Sequence, residues 1–227
     1  MNAAIPPGLV VVDMQRYYLE PESDFCRFHE SQDLGGTQYI RNRARTTVIP
    51  NITLLLDAWR DNMWPVFYLR LCGVAEDRSD LHRFFRSVSE SGSRNGFPAM
   101  YPVASDPMSA VTPELAPETG DAVFTKTTFS GFSSGHFAEG LIDSGVKDLV
   151  FTGLATSQCV ETTARDASDR GYRVIQVEDA QADYSESTHR MSLMASRGVC
   201  GGAILSTDTV LDHIPDGLAK LFALSDR

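Results

Sequence analysis

Six short apolar runs rich in β-branched residues punctuate the chain: GLVVVD at 8–13, PVFYLRL at 65–71, AVFTK at 122–126, DLVFTG at 148–153, RVIQVED at 173–179 and GAILS at 202–206. They are apolar at consecutive rather than alternate positions, which suits strands covered on both faces. Between them, segments 45–62, 134–145, 159–171 and 185–198 carry apolar residues at helical spacing, with Gly145 and Gly171 as stop signals. This alternation predicts a parallel sheet with helices on both sides, because each strand must be reached by a crossover that packs back on the sheet. No internal repeat or interdomain linker interrupts it. A single domain over 1–227 is expected, within the size at which one α/β core suffices.

In such sheets ligands sit beyond the carboxyl ends of the strands, so residues that end strands are the first candidates for chemistry. Here those positions hold Asp13, Arg70, Lys126, the segment after Gly153, and Asp179. The formal charge of −10 argues against nucleic acid or an anionic membrane surface as partner, since both require a concentrated cationic face. A small molecule fits better. Arg41, Arg43 and Arg45 form the one basic cluster and read as a solvated helix face. Four cysteines, at 26, 72, 159 and 200, show no CxxC pair and no zinc spacing, which suits a reduced, cytoplasmic setting. The opening MNAAIPPGLVVVD lacks a basic leader, and its apolar run is too short to span a bilayer. Segment 72–121 is the least periodic: a helical piece, DLHRFFRSVSE, gives way to SGSRNGFPAMYPVASDP, either a surface loop or a substrate-shaping cover.

Cys159 has two readings, a small packing residue or a nucleophile. It follows a strand, a glycine and the polar turn Thr156-Ser157-Gln158, and it opens a helix. There, unpaired backbone N–H groups and the positive dipole end favour thiolate and can hold a developing oxyanion. Asp13 is a loop anchor or, beside a thiol, an acceptor and later donor of its proton. Lys126 is a strand-terminal charge or, between the two, the cation that keeps Asp13 ionised and stabilises the thiolate. Each residue is ambiguous alone, and the set of three favours nucleophilic catalysis.

The pieces LVVVDMQ, VTPELAPETGDAVFTKTTFSGF, DLVFTGLATSQCVETTARDASDRGYRVIQVEDAQADYS and the following HRMSL, in this order and spacing, resemble the isochorismatase-like superfamily of cysteine hydrolases. The phrase CVETTARDA leans towards its N-carbamoylsarcosine, ureidoacrylate and biuret amidohydrolase branch. The resemblance implies a three-layer α/β/α, doubly wound fold with a six-stranded, mainly parallel sheet, assembled as homodimer or homotetramer. It implies an Asp-Lys-Cys triad on Asp13, Lys126 and Cys159, and a cis peptide between Leu154 and Ala155. That bond would turn the Ala155 N–H, with that of Cys159, into an oxyanion hole. The substrate class implied is a small amide, ureide or carbamoyl compound, cleaved without a cofactor.

Metal-dependent nicotinamidases of this superfamily carry an aspartate and two histidines after the second strand, whereas this chain offers Asp80 and His82 but no second histidine nearby, so no metal is expected. Isochorismatases proper lack the cysteine, commonly having glycine there, and Cys159 therefore tilts the reading towards amide cleavage. A vinyl-ether hydrolase in which Cys159 is incidental, and a non-catalytic binding protein on the same fold, remain the alternatives. For the substrate pocket, Gln15 and Thr127 are candidate hydrogen-bonding residues and Tyr17, Phe129 and Phe132 a candidate aromatic wall, with core packing an equal reading for the aromatics. Glu161 and Asp166 read as supporting residues on the helix after Cys159.

Overall fold

The strand and helix alternation resolves into one twisted sheet. The computed structural model describes residues 5–33, 36–198 and 202–223, so Cys200 lies outside the described residues. Its strands are β1 (Gly8–Val12), β2 (Val66–Leu71), β3 (Ala122–Lys126), β4 (Asp148–Leu154), β5 (Arg173–Ala182) and β6 (Ala203–Leu205). They run in the order β3-β2-β1-β4-β5-β6, and every neighbouring pair is parallel. The order reverses between β1 and β4, where crossovers leave to opposite faces and open a crevice beyond the strand ends.

The helices are α1 (Arg16–Leu19), α2 (Asp24–Gln32), α3 (Gln38–Arg43), α4 (Ile49–Asp61), α5 (Arg83–Arg94), α6 (His136–Ser144), α7 (Glu161–Asp169), α8 (Glu186–Ser196), α9 (Thr207–His213) and α10 (Ala219–Phe222). Along β1, Leu9 and Val11 join Ile52, Leu55 and Trp59 of α4 and Val210 of α9. Val10 and Val12 join the opposite cluster, with Phe137 and Leu141 of α6 and Ala164 and Ala167 of α7. All four β1 side chains are fully buried, each worth about 1.5–3 kcal/mol. Burial on both faces is the physical reason that the strands read as continuous apolar runs. Gly145 closes α6 in the left-handed region, and Gly171 follows α7 in the same conformation, as the stop signals required.

Three details depart from the expected boundaries. β5 runs on through Ala182, because a register shift between Phe151 and Gly153 lets β4 pair again with Gln181 and Ala182. Asp179 therefore does not end its strand; it accepts the Thr207 amide and hydroxyl at 2.8 and 2.7 Å and caps α9. The arginine cluster is not a solvated face: Arg41 pairs with Glu30, Arg43 donates to the Gln181 and Glu178 carbonyls, and Arg45 donates to the Leu19 carbonyl. The aperiodic 72–121 segment folds over the strand ends. There α5, capped by His82 Nδ1 accepting the Phe84 amide, supplies Phe85 to a third apolar cluster with Tyr17, Phe25, Phe28, Leu81, Met100 and Tyr101. Among the described residues, no helix is long and apolar enough to cross a membrane.

Candidate active site

β1, β3 and β4 deliver Asp13, Lys126 and Cys159 to one point at the sheet's reversal. Asp13 leaves β1 with φ 50°, a left-handed conformation that aspartate tolerates better than most side chains. Lys126 ends β3, two strands away, and its long side chain bridges the gap. Its Nζ lies 2.8 Å from Asp13 Oδ2 and 3.1 Å from Cys159 Sγ, and it donates to the Thr128 carbonyl at 3.1 Å. The contacts to Cys159 Sγ and the Thr128 carbonyl have hydrogen-bond geometry, and the contact to Asp13 is an ion pair. The residues are 1%, 0% and 3% exposed, so solvent does little to screen these contacts.

Burial sets the protonation states. It raises the Asp13 carboxyl above its ordinary value, with the Lys126 charge acting in the opposite direction. For Lys126 burial acts downwards, but the Asp13 and Cys159 charges outweigh it and the ammonium is held more firmly. The Cys159 thiol is pushed well up, by burial first and the Asp13 charge second, against the lowering effect of Lys126. A helix start and a lysine led to the expectation of a thiolate; burial at this site acts the other way and favours the neutral thiol. The reason is that desolvation penalises a third charge in the same dry space.

The turn that carries Cys159 is built by its neighbours. Gly153 has φ 106°, and a Cβ there would lie 2.0 Å from the Val12 carbonyl oxygen, so only glycine lets β4 pass β1 and bend. The Leu154–Ala155 peptide is trans: no cis bond occurs among the described residues, and the cis expectation is corrected. The bend that it would have supplied comes instead from Gly153 and the register shift beside it. Beyond, Thr156–Val160 form a wide helical turn ahead of α7, in which the Ala155 carbonyl accepts the Gln158 and Val160 amides at 3.0 and 3.3 Å. Asp183 Oδ2 accepts the Ser157 amide at 2.6 Å. Thr163 Oγ1 donates to the Cys159 carbonyl at 2.6 Å and accepts the Gly131 amide at 3.2 Å, tying α7 to the loop after Lys126. The Cys159 amide takes part in none of these bonds.

The expected pocket residues divide. Gln15 is fully buried and bonded to backbone, donating to the Leu71 and Ser109 carbonyls and accepting the Leu71 amide, so it braces β1 against β2. Phe132 packs below the rim against Phe137, with the Arg170 guanidinium over its ring. Thr127 gives its carbonyl to the His82 amide. Tyr17 and Phe129 do stand over the triad: Phe129 touches both the cluster that contains Cys159 and the one that contains Tyr17. Three residues escaped sequence reasoning, Tyr18, Tyr101 and Tyr184, whose pKa values the Cys159 and Asp13 charges raise after burial has done so. They lie in or beside aperiodic segments, and only folding brings them to the thiol.

Asp80 accepts the Val74 and Ala75 amides, and His82 caps α5, so each has a structural task. Glu161 pairs with Arg165 and accepts from Ser192, while Asp166 accepts the Ser130 hydroxyl at 2.6 Å. A cavity of about 580 Å³, lined by Arg43, Glu178, His189 and Leu193 among others, lies behind the nucleophile turn. His189, in its lining, has Nδ1 2.8 Å from Thr156 Oγ1 of that turn.

Comparison with known proteins gives a consistent picture. A family profile described as "Isochorismatase domain" matches residues 7–209. A ureidoacrylate amidohydrolase RutB from Variovorax paradoxus is 31% identical over 179 residues, 76% of this chain and 67% of that protein. Enterobactin synthase component B of Escherichia coli K12 is 27% identical over 214 residues, 94% of this chain and 66% of that protein. Among solved structures, a cysteine hydrolase from Pseudomonas syringae pv. phaseolicola superposes with a TM-score of 0.76 at 26% identity, covering 94% of each chain.

Proposed function

The chain belongs to the isochorismatase family of hydrolases, and on that premise we propose that it cleaves a C–N bond of a small amide, ureide or carbamoyl compound through a thioester on Cys159. The observation that carries the proposal is the buried contact of Lys126 Nζ with both Asp13 Oδ2 and Cys159 Sγ. A packing cysteine has no use for a desolvated ion pair beside it, whereas a nucleophile needs a base in reach and a fixed countercharge.

The resting state is a neutral thiol beside an Asp13–Lys126 pair. As substrate enters, Asp13 takes the thiol proton and the sulfur attacks the carboxamide or carbamoyl carbon, forming the C–S bond. The oxyanion is held by the Cys159 amide at the start of its helix, a donor of the kind that contributes ~10²–10³ in rate. Collapse breaks the C–N bond, and Asp13 returns its proton to the departing ammonia or amine. Asp13 then takes a proton from water as the water attacks the thioester, the C–S bond breaks, and the thiol is restored. Lys126 stays protonated and compensates Asp13 whenever it is ionised. No step calls on a cofactor. The same reading places the enzyme in the cytoplasm as a homo-oligomer.

Ammonia release from a panel of small amides, ureides and carbamoyl acids, with intact-mass detection of an acyl adduct on Cys159, tests the proposal. Cys159→Ala abolishes both signals; full turnover in that variant would sink it. Pyruvate release from isochorismate that survived loss of the thiol would favour the vinyl-ether reading instead.

A further inference from the structure

We infer that His189 is a positioning residue for the nucleophile: through the hydroxyl of Thr156 it holds the wide turn Thr156–Val160 in the winding that aims the Cys159 amide at the substrate oxygen. The inference rests on the proposed thioester chemistry and adds to that site a residue outside the triad.

The turn needs support from outside. Thr156–Val160 is wound wider than an α-helix, with the Val160 amide reaching back five residues to the Ala155 carbonyl at 3.3 Å. Such a turn is rare and is found mostly as a single insertion in an α-helix, often at a functional site. It competes with the tighter winding of α7, which follows it directly. The Cys159 amide takes its direction from whichever winding prevails. Two side chains grip the turn from the far side. Asp183 Oδ2 accepts the Ser157 amide at 2.6 Å, and His189, from α8, meets Thr156 Oγ1 through Nδ1 at 2.8 Å. Thr156 is fully buried and His189 is 4% exposed, so water competes little for that bond.

The other ring nitrogen fixes the sense of the bond. Arg43 Nη2 stands 3.3 Å from His189 Nε2. A guanidinium can only donate, so Nε2 accepts and the ring carries its proton on Nδ1, from which it donates to Thr156 Oγ1. Burial first, and the Arg43 charge second, hold the ring's pKa down to about 4, which keeps this neutral form at neutral pH. Arg43 is itself anchored, its Nε donating to the Gln181 carbonyl at 3.0 Å and its Nη2 to the Glu178 carbonyl at 3.3 Å. The contacts thus run from β5 through Arg43 and His189 to Thr156, three residues before the nucleophile. Both ring nitrogens are engaged in this chain, so His189 moves no proton in the reaction and acts through the turn.

Two reagents separate positioning from thiol reactivity without knowledge of the natural substrate. p-Nitrophenyl acetate transfers its acetyl group to sulfur through a tetrahedral oxyanion, whereas iodoacetamide alkylates the same sulfur by displacement at a saturated carbon and forms none. Rates at Cys159 of the full chain are followed by p-nitrophenolate release and peptide mass mapping, with glutathione as the reference thiol. His189→Leu, which fills space but cannot donate, and Thr156→Val, which keeps the shape without the hydroxyl, should each slow acetylation about 10–100-fold and change alkylation less than about 3-fold, because a misaligned oxyanion donor forfeits part of its contribution. The double variant should be no slower than the slower single one, since both changes break the same contact. His189→Asn, whose side-chain amide can donate from near the Nδ1 position, should recover acetylation to within about 3-fold of the native rate. Equal slowing with both reagents, no recovery in His189→Asn, or undiminished acetylation in either single variant would overturn the inference and leave the proposed reaction standing. Native Cys159 whose acetylation, relative to its alkylation, is no faster than that of glutathione would sink the thioester chemistry and the inference with it.

Discussion

Replacing Lys126 with methionine removes the ammonium and keeps most of the side chain's volume. It strands the Asp13 carboxylate, which is 1% exposed and, among the described residues, ion-paired with Lys126 alone. Removing one partner of a buried pair costs about 3–5 kcal/mol, because the remaining charge is uncompensated. Protonation sets an independent ceiling, since the carboxylate can neutralise itself at about 1.36 kcal/mol for each pH unit above its ordinary value. From the ordinary value of 3.8, that ceiling is about 4 kcal/mol at pH 7 and about 1.6 kcal/mol at pH 5. The carboxyl's pKa in the folded variant lies above its unfolded value. The stability tied to its neutral form is therefore complete at low pH and lost as pH rises. The deficit of Lys126→Met relative to wild type should accordingly shrink by about half or more between pH 7 and pH 5. Urea unfolding followed by the fluorescence of Trp59 and Trp64 measures it. Asp13→Asn combined with Lys126→Met removes both charges and should return to within about 1 kcal/mol of wild type at pH 7. A deficit under about 1 kcal/mol at pH 7, or one that holds constant or grows towards pH 5, refutes the reasoning.

Because burial and the Asp13 charge push the Cys159 thiol up, its iodoacetamide alkylation should still rise about tenfold per pH unit between pH 7 and pH 9; a plateau below pH 8 would show a thiolate at rest. Gly153→Ala forces a Cβ to within 2.0 Å of the Val12 carbonyl oxygen at φ 106°, and should cost more than about 3 kcal/mol in urea unfolding; a neutral result would show that β4 can pass β1 by another path. His189 is held down to about 4, by burial first and Arg43 second. The unfolded chain takes up its proton near 6.5 and the folded chain does not, so stability falls as pH drops through that window; His189→Gln should flatten this fall in Tm, and an unchanged slope would contradict it.

Much of the fold was legible because burial on both faces writes itself into composition. A strand with no solvent face has no polar alternation, and the six apolar runs therefore marked the six strands. Asp13, Lys126 and Cys159 were legible for a related reason: polar residues that end such runs in a parallel sheet lie on one rim. Asp179 shows where that rule fails. It ends the apolar part of its run, yet β5 continues past it, because strand length is settled by pairing with β4 and not by hydropathy. Short helices such as α2 gave little periodic signal, although Ser23 ahead of Asp24 is an N-cap pattern, and Ser23 does accept the Cys26 amide. Gln15 and Phe132 were read by their distance in sequence from triad residues, and folding turned both towards the scaffold instead.

By itself the sequence determined which residue types stand at the ends of buried parallel strands, since those choices follow from local hydropathy and from the crossover rule. Only the tertiary structure decided the state in which they stand. The charge on Cys159 depends on how much water three strand ends exclude together, and the desolvation of Asp13, Lys126 and Cys159 is a property of the assembled rim. The bend before the nucleophile turn depends on how closely Gly153 passes Val12, a contact between segments far apart in the chain.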